Sequence, residues 1–358
     1  MKKGNCSEAL VRECARLGTT QPSFAAAAET LERLGRVDLS DSTVWRYHKE
    51  VTRRLEQKLE EEQNVPPDVR QEDVSAMEWV TPHERVETHA SVSIDGVKVL
   101  LRDEGYREVK IVSVSEVIGE TEQERSAPAV QTAKKCEEDS VTGERQAAGC
   151  QKDIKLTRHS YRAILGDKAA FIPALKGELA RRRVRQADKI SAVNDGADWI
   201  WDLVETYLPG RTIEILDWPH AVENLAKAGK AGWGEGTPEA QAWLEQRKTE
   251  LWNGQLVQVE IGLYHLPRRY KERGRDIRQV KSYVDQHWKR LHYDRFRADG
   301  RPIGSGTVES AARNVVTWRM KRGGQRWSSE GASRMLAALG EVHSNRWKAH
   351  VPQLAKTA

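Results

Sequence analysis

The stretch KISAVNDGADWIWDLVETYLPGRTIEILDWPHAVENL, residues 189–225, decides the fold class. Its first six residues are mostly apolar and end at Asn194–Asp195–Gly196, as a short strand does before a turn. GADWIWDLVETYL then reads as a helix, Pro209–Gly210 breaks it, and TIEIL is a second short strand that stops at Asp217. Strand, helix and strand in this order belong to a mixed α/β core. An acidic residue closes each strand, and open α/β sheets place their chemistry at the carboxyl ends of strands. Asp195 and Asp217 are therefore the first candidates for a site.

Upstream, THASVSID ends at Asp95, and GVKVLLRD and REVKIVSVSEV follow with alternating or continuous apolar residues. They predict three consecutive antiparallel strands. From 118 to 153 the periodicity is lost in a polar stretch poor in aromatics, which predicts a long flexible loop. Helix resumes at Asp167–Arg183. Near the N-terminus, residues 8–55 read as helices. Ser23 is placed to cap Ala25–Leu34, Gly35 ends that helix, and Ser40 or Ser42 starts the next at SDSTVWRYHKEVTRRL. Two helices joined by a short turn, the second polar with Arg46, Tyr47 and Lys49, have the outline of a helix-turn-helix. An ordinary helical hairpin would look the same. Residues 56–75 are acidic, contain Pro66–Pro67, and predict a linker. Beyond Asp217 the chain is helical in character to Trp347.

With 358 residues, 31% charged and 38% hydrophobic, the chain has the profile of a soluble globular protein of two domains, or of one with additions. It has no apolar run of membrane-spanning length and no hydrophobic leader after MKKGNC, so a cytoplasmic protein is expected. Cys6, Cys14, Cys136 and Cys150 are far apart and form no CxxC pair, which argues against a thiolate metal site. The net charge of +5 is too small to imply nucleic acid, but its distribution is uneven. Residues 51–87 hold ten acids against five bases, and residues 265–301 hold twelve bases against five acids. A basic C-terminal third suits a phosphate-binding surface.

The segment RPIGSGTVESAARNVVTWRMKRGG, 301–324, supplies a third carboxylate. A glycine-rich turn leads into an amphipathic helix with Val308, Ala312, Val315 and Arg319 along one face. Glu309, Arg313, Val316 and Met320 lie along the next. Asp95, Asp195 and Glu309 together are three hard oxygen ligands, which suit two Mg²⁺ or Mn²⁺ ions rather than zinc or copper. Each acid alone has a plainer reading, as an Asp-Gly turn or as a glutamate in a first helical turn. After Glu309, Arg313, Arg319, Lys321, Arg322 and Arg326 could meet phosphates. Trp318 and Trp327 could stack on exposed bases, although core packing is the commoner use of Trp.

SVSIDG, REVKIVSV, NDGADWIW, ILDWPHAVENL and PIGSGTVESAARNVVTWRMKRGGQRWS together resemble the catalytic domain of bacterial insertion-sequence transposases of the DDE type, related to the Mutator-like group. The likeness covers about residues 88–347. It implies an RNase H-like mixed sheet (residues 76–220) interrupted by an all-helical insertion (221–300), with the catalytic helix in 301–358 and a DNA-binding helical region in 1–75. It implies Asp95, Asp195 and Glu309 as the metal-binding triad. Asp217 and His220 match a D-x-x-H signature that lies after the second catalytic aspartate, so they become orienting residues. By local pattern alone, Asp217 still competes with Asp195. The implied reaction is cleavage at terminal inverted repeats followed by strand transfer into target DNA, with a homodimer or larger assembly on duplex DNA. An RNase H-like nuclease without strand transfer and a catalytically dead DNA-binding derivative are the alternatives.

Overall fold

In the computed structural model of the chain, residues 7–64, 88–119, 154–267, 271–306, 308, 312–322 and 325–355 are described. The framework is a five-stranded mixed sheet with helices on its faces. Its strands are β1 (His89–Leu101), β2 (Gly105–Gly119), β3 (Ile154–Leu165), β4 (Lys189–Asn194) and β5 (Ile213–Leu216), in the spatial order β3-β2-β1-β4-β5. β2 runs antiparallel to both of its neighbours, β1 and β3, while β1, β4 and β5 run parallel. Parallel neighbours need a crossover, which α5 (Asp198–Tyr207) supplies between β4 and β5.

The antiparallel half differs from the sequence-based expectation. THASVSID and GVKVLLRD are one strand that continues through Asp95–Gly96, with Gly96 paired to Lys110. Gly96 therefore makes no turn. It leaves room for the Glu108 side chain of β2, since a Cβ there would lie 2.7 Å from a Glu108 carboxylate oxygen. The third antiparallel strand is β3, from IKLTRHSYRAIL. Its alternation is masked by basic and polar residues, and the sequence reading left it unassigned. The loop expected at 118–153 falls outside the described residues except for Ile118 and Gly119, which belong to β2.

At the N-terminus α1 (Glu8–Thr20), α2 (Phe24–Gly35) and α3 (Asp41–Asn64) form as expected, with Ser23 accepting the Ala26 amide as the α2 cap. Gly35 is still helical, and Arg36 takes the left-handed position, φ 52°, that closes the helix. α3 is longer than expected. Residues 56–64 are helical rather than linker, because Leu55 and Leu59 extend the buried stripe of Val44, His48, Val51 and Thr52 by another turn. That stripe does not close on α1 and α2 alone. Val51, Leu55 and Leu59 share a core with Ala337 and Ala338 of α11 (Ser329–His343) and with Trp347 and Val351 of α12 (Trp347–Ala355). The N-terminal helices thus complete the main body.

Every regular element described between Trp218 and Ala298 is helical: α6 (Trp218–Trp233), α7 (Pro238–Trp252), α8 (Leu256–Tyr264), α9 (Lys271–Gln286), one short 3₁₀ turn and α10 (Tyr293–Ala298). The segment leaves and returns at one place, where the Trp218 amide donates to the Ile303 carbonyl at 2.9 Å. Tyr293 ties it to the sheet by donating its hydroxyl to the Leu216 carbonyl at 2.8 Å. No described helix is long and apolar enough to cross a membrane. Cys14 is buried and forms no disulfide.

Candidate active site

Strand register brings the acids together. β1 and β4 pair in parallel from His89 beside Lys189 to Val92 beside Ala192. β4 and β5 pair from Ser191 beside Ile213 to Asn194 beside Leu216. Asp195 and Asp217 follow directly on the paired ends of β4 and β5, and Asp95 lies within β1 three residues beyond its last pair with β4. The Ile94 amide donates to Asn194 Oδ1 at 2.6 Å, and the Asp217 amide donates to the Asn194 carbonyl at 2.8 Å. Asn194 is fully buried and stitches all three strands at this level. It stands next to Asp195 in the sequence, yet its role needs the register to be seen.

The three aspartates differ in availability. Asp95 and Asp195 are half-buried. Asp95 Oδ1 accepts the Gly96 amide at 2.6 Å, and Asp195 Oδ1 accepts the Ala197 amide at 3.0 Å. Asp217 is fully buried. Its Oδ2 accepts from the His220 amide at 3.2 Å and lies 2.7 Å from His220 Nδ1, and its Oδ1 accepts the Ser305 amide at 2.5 Å. Burial works to raise its pKa, but hydrogen bonds from His220 and Ser305 outweigh that, and the carboxyl sits below its ordinary range. Both Asp217 oxygens are thus committed to capping α6 and to holding the chain that leads towards residue 309. Asp195 is the more accessible of the two competing acids.

Glu309 lies outside the described residues, but its N-terminal neighbour does not. Val308, whose amide donates to the Ser305 carbonyl at 2.8 Å, is buried in the cluster of Val97, Val99, Leu101 and Ile111. Side chains alternate along a strand, so Asp95 projects from the same face of β1 as Val97 and Val99. Further on, Ala312–Thr317 is a π-helical turn followed by one α-turn, Trp318–Met320. Val315, Val316 and Met320 bury the stripe expected from the sequence. The π-turn was not foreseen; such turns gather at functional sites.

Tyr283 of α9 is a neighbour the sequence did not reveal. It fills the space beside Gly196 where a Cβ would otherwise sit. Burial raises its hydroxyl pKa, helped by the charges of Asp195, Asp217 and Glu223. Gly196 therefore admits a tyrosine rather than leaving an open cleft. Nearby, the buried His287 ring lies 2.9 Å from Arg290 Nη1, and burial and that arginine lower its pKa to about 4.

The expected DNA contacts divide. Arg313, Lys321, Arg322 and Arg326 are exposed, Trp318 is 43% exposed, and the Arg322 guanidinium lies 5.5 Å from the Trp318 ring centre. Arg319 and Trp327 are corrections. Arg319 is 1% exposed, donates to the Gly18 carbonyl at 3.2 Å and packs between Phe24 and Trp327. Trp327 is partly buried, with its indole donating to the Met320 carbonyl. Its backbone carbonyl accepts the Arg102 amide at 2.8 Å beside the end of β1. Both serve the packing of 319–327 against α1, α2 and β1. On α3, Arg46 and Lys49 are exposed beside the 48% exposed Trp45, whereas Tyr47 packs inward against both N-terminal clusters.

Among the described residues, no group of three or more His, Cys, Asp or Glu side chains is set to hold a metal ion. The sequence matches no protein-family model and no curated protein.

Proposed function

We propose that the chain is an insertion-sequence DNA transposase with an RNase H-like core, acting through Asp95, Asp195 and Glu309. One observation carries the reading. Asp195 follows directly on β4, Asp95 lies in the parallel β1 three residues beyond the last β1–β4 pair, and the segment leading to Glu309 is anchored at Asp217 and packs Val308 on the Asp95 face of β1. The sheet of three antiparallel and two parallel strands and the closed helical excursion 218–303 agree with a core interrupted by a helical insertion.

The donor set fits two Mg²⁺ or Mn²⁺ ions. It offers hard, ionisable oxygens at an accessible strand end, and the third donor follows Val308 directly in the chain. Bound divalent ions would activate the attacking hydroxyl and take up charge on the leaving oxygen. The protein's own residues orient and enclose. Backbone amides of Gly96 and Ala197 fix the Asp95 and Asp195 carboxylates. Asp217, itself bonded by His220, holds the Ser305 amide, and Tyr283 closes the space behind Gly196. The exposed Arg313, Lys321, Arg322 and Arg326 would neutralise phosphates of duplex DNA. Arg46 and Lys49, beside Trp45, would meet terminal-repeat DNA from the face of α3 opposite its buried stripe. Water would break a P–O bond at each element end, and the freed 3′-hydroxyl would displace a second P–O bond in target DNA, with a homodimer or larger assembly pairing the ends.

The test is Glu309→Gln in the full chain, assayed on a labelled terminal repeat with Mg²⁺ and by gel retardation. Loss of cleavage and joining with retained retardation is expected. Wild-type cleavage by the variant overturns the reading, and cleavage without joining by the wild type makes the protein an RNase H-like nuclease instead.

A further inference from the structure

Beyond Ile94, whose amide still reaches the Asn194 side chain, no β4 pairing is found along β1 among the described residues, and Trp327 bridges Leu101. A groove of about 660 Å³ is lined by Lys98, Leu100 and Tyr106 from the β1–β2 hairpin and by Met320, Lys321, Arg322, Gln325 and Arg326. Four of its eight lining residues are cations. The one nearby acid in register, Glu108 opposite Lys98, is held by Lys110 Nζ at 2.7 Å. None of Lys98, Lys321, Arg322 and Arg326 forms an ion pair among the described residues. Tyr106 stands 72% exposed at the groove, and Trp318, under Arg322, is 43% exposed at its margin.

We infer that this groove binds unpaired nucleic acid, with phosphates on the four cations and a base stacked on Tyr106. The inference rests on the reading of the chain as a DNA-acting protein, and names a strand state and two residues, Lys98 and Tyr106, that the reading does not use. Cations alone would suit any polyanion. Exposed aromatic faces beside them select bases whose own faces are open, because duplex bases are already stacked on each other. Lys98 lies three residues past Asp95 on β1, ~10 Å along the strand and, by alternation, on its other face, so the groove is a place distinct from the carboxylates.

The experiment uses the full chain and fluorescence anisotropy with a labelled 20-nucleotide single strand and its duplex, over a salt series. Tyr106→Ala is expected to weaken single-strand binding by roughly 5- to 150-fold, the range of one lost stacked base. Duplex binding should change by less than about twofold, and Tyr106→Phe should bind as wild type. Lys98→Ala should lower the single-strand salt slope by about 0.7, one phosphate contact. Both side chains are exposed, so the variants should melt as wild type. Equal losses on single strand and duplex, or no loss on either, overturn the inference. A wild type that binds single strands through Tyr106 but neither binds nor cleaves terminal-repeat duplex would sink the transposase reading and leave this one standing.

Discussion

Glu341 and Asp195 are both carboxylates held beside structured elements, and their surroundings differ in kind. Glu341 is fully buried with Glu178 where α11 and α12 pack on β3 and α4 (Lys168–Arg181). Arg346 Nη1 lies 2.9 Å from Glu178 and its Nη2 2.8 Å from Glu341, with His350 Nδ1 also 2.8 Å and Arg181 3.6 Å from Glu341. Burial opposes ionisation of both glutamates, but Arg346 and Arg181, with hydrogen bonds from Ser160 to Glu178 and from His350 to Glu341, together outweigh it, and both carboxyls sit below their ordinary pKa. Asp195 is half-exposed, accepts a backbone amide, and has Tyr283 rather than a cation as its described side-chain neighbour. A charge matched inside the protein is a structural device. A charge oriented by backbone and left half-exposed is available to something that arrives from outside. The difference predicts that mutations in the two places separate activity from stability.

The largest separation is expected at Asp195. Asp195→Asn keeps shape and the Ala197 hydrogen bond but removes the negative charge. Metal-dependent cleavage of a terminal repeat should fall on the order of 10⁴-fold, about 5 kcal/mol of transition-state stabilisation. The melting temperature should stay within roughly 2 °C of wild type. A large melting shift with intact cleavage would place Asp195 in the structural class with Glu341.

Arg346→Met inverts the pattern. Two buried glutamates lose their shared partner, and stability should drop by about 3–5 kcal/mol, read by urea unfolding at pH 7. In the wild type, both carboxyls are held below the ordinary 4.5, so their contribution is complete above that pH and is lost as pH falls further. In the variant the unpaired glutamates favour protonation, so its deficit against wild type should shrink as pH falls towards 4. A deficit that is flat with pH would mean that Arg346 acts by packing alone.

Asp217 sits between the two classes, and a smaller effect on both readouts follows. It is as buried as Glu341, yet its oxygens serve His220 and Ser305 at the site. Asp217→Asn keeps one acceptor oxygen and replaces the other with a donor, weakening charged hydrogen bonds that are worth about 1.5–3 kcal/mol. Stability should fall by about 2 kcal/mol and cleavage by roughly 10- to 100-fold, since the segment before Glu309 loses its anchor. A 10⁴-fold loss at unchanged stability would instead make Asp217 a ligand and displace Asp195.

How much of this could be read beforehand depends on where the information lies. Asp95 and Asp195 each follow an apolar run, which is a local signal, so both were legible as candidates, although Asp95 lies inside β1 rather than at its end. The parallel pairing of β1 with β4 links residues a hundred apart, which no single segment encodes. β3 was hidden because Lys155, Arg158, His159 and Arg162 break its apolar alternation. Arg162 is nonetheless buried, at the edge of the Glu178–Glu341 cluster. THASVSID and GVKVLLRD were divided at Asp-Gly, a pair that usually marks a turn but here sits inside a hairpin strand. Tyr283 gave no local sign, since what matters is the gap that Gly196 leaves for it. Arg319 and Trp327 looked like surface groups because a basic run is usually solvated. Only the docking of α1 and α2 over residues 319–327 buries them.

That last point yields the smallest and sharpest contrast, between two arginines three residues apart. Arg319 is enclosed by Phe24, Trp327 and the Gly18 carbonyl, with burial and then Arg322 lowering its pKa to about 10. Arg322 is exposed over Trp318. Arg322→Ala should leave unfolding unchanged within about 0.5 kcal/mol, as exposed sites do. It should lower the salt slope of duplex binding by about 0.9, one phosphate contact. Arg319→Met keeps most of the buried volume and removes the hydrogen bond to Gly18, so stability should shift by about 1 kcal/mol and the salt slope should not change. Unfolding curves and salt-dependent retardation on the same two proteins decide it. If Arg319→Met also loses a full unit of slope, the N-terminal helices must move aside on DNA to expose it, and the division between structural and available charge would hold only for the free protein.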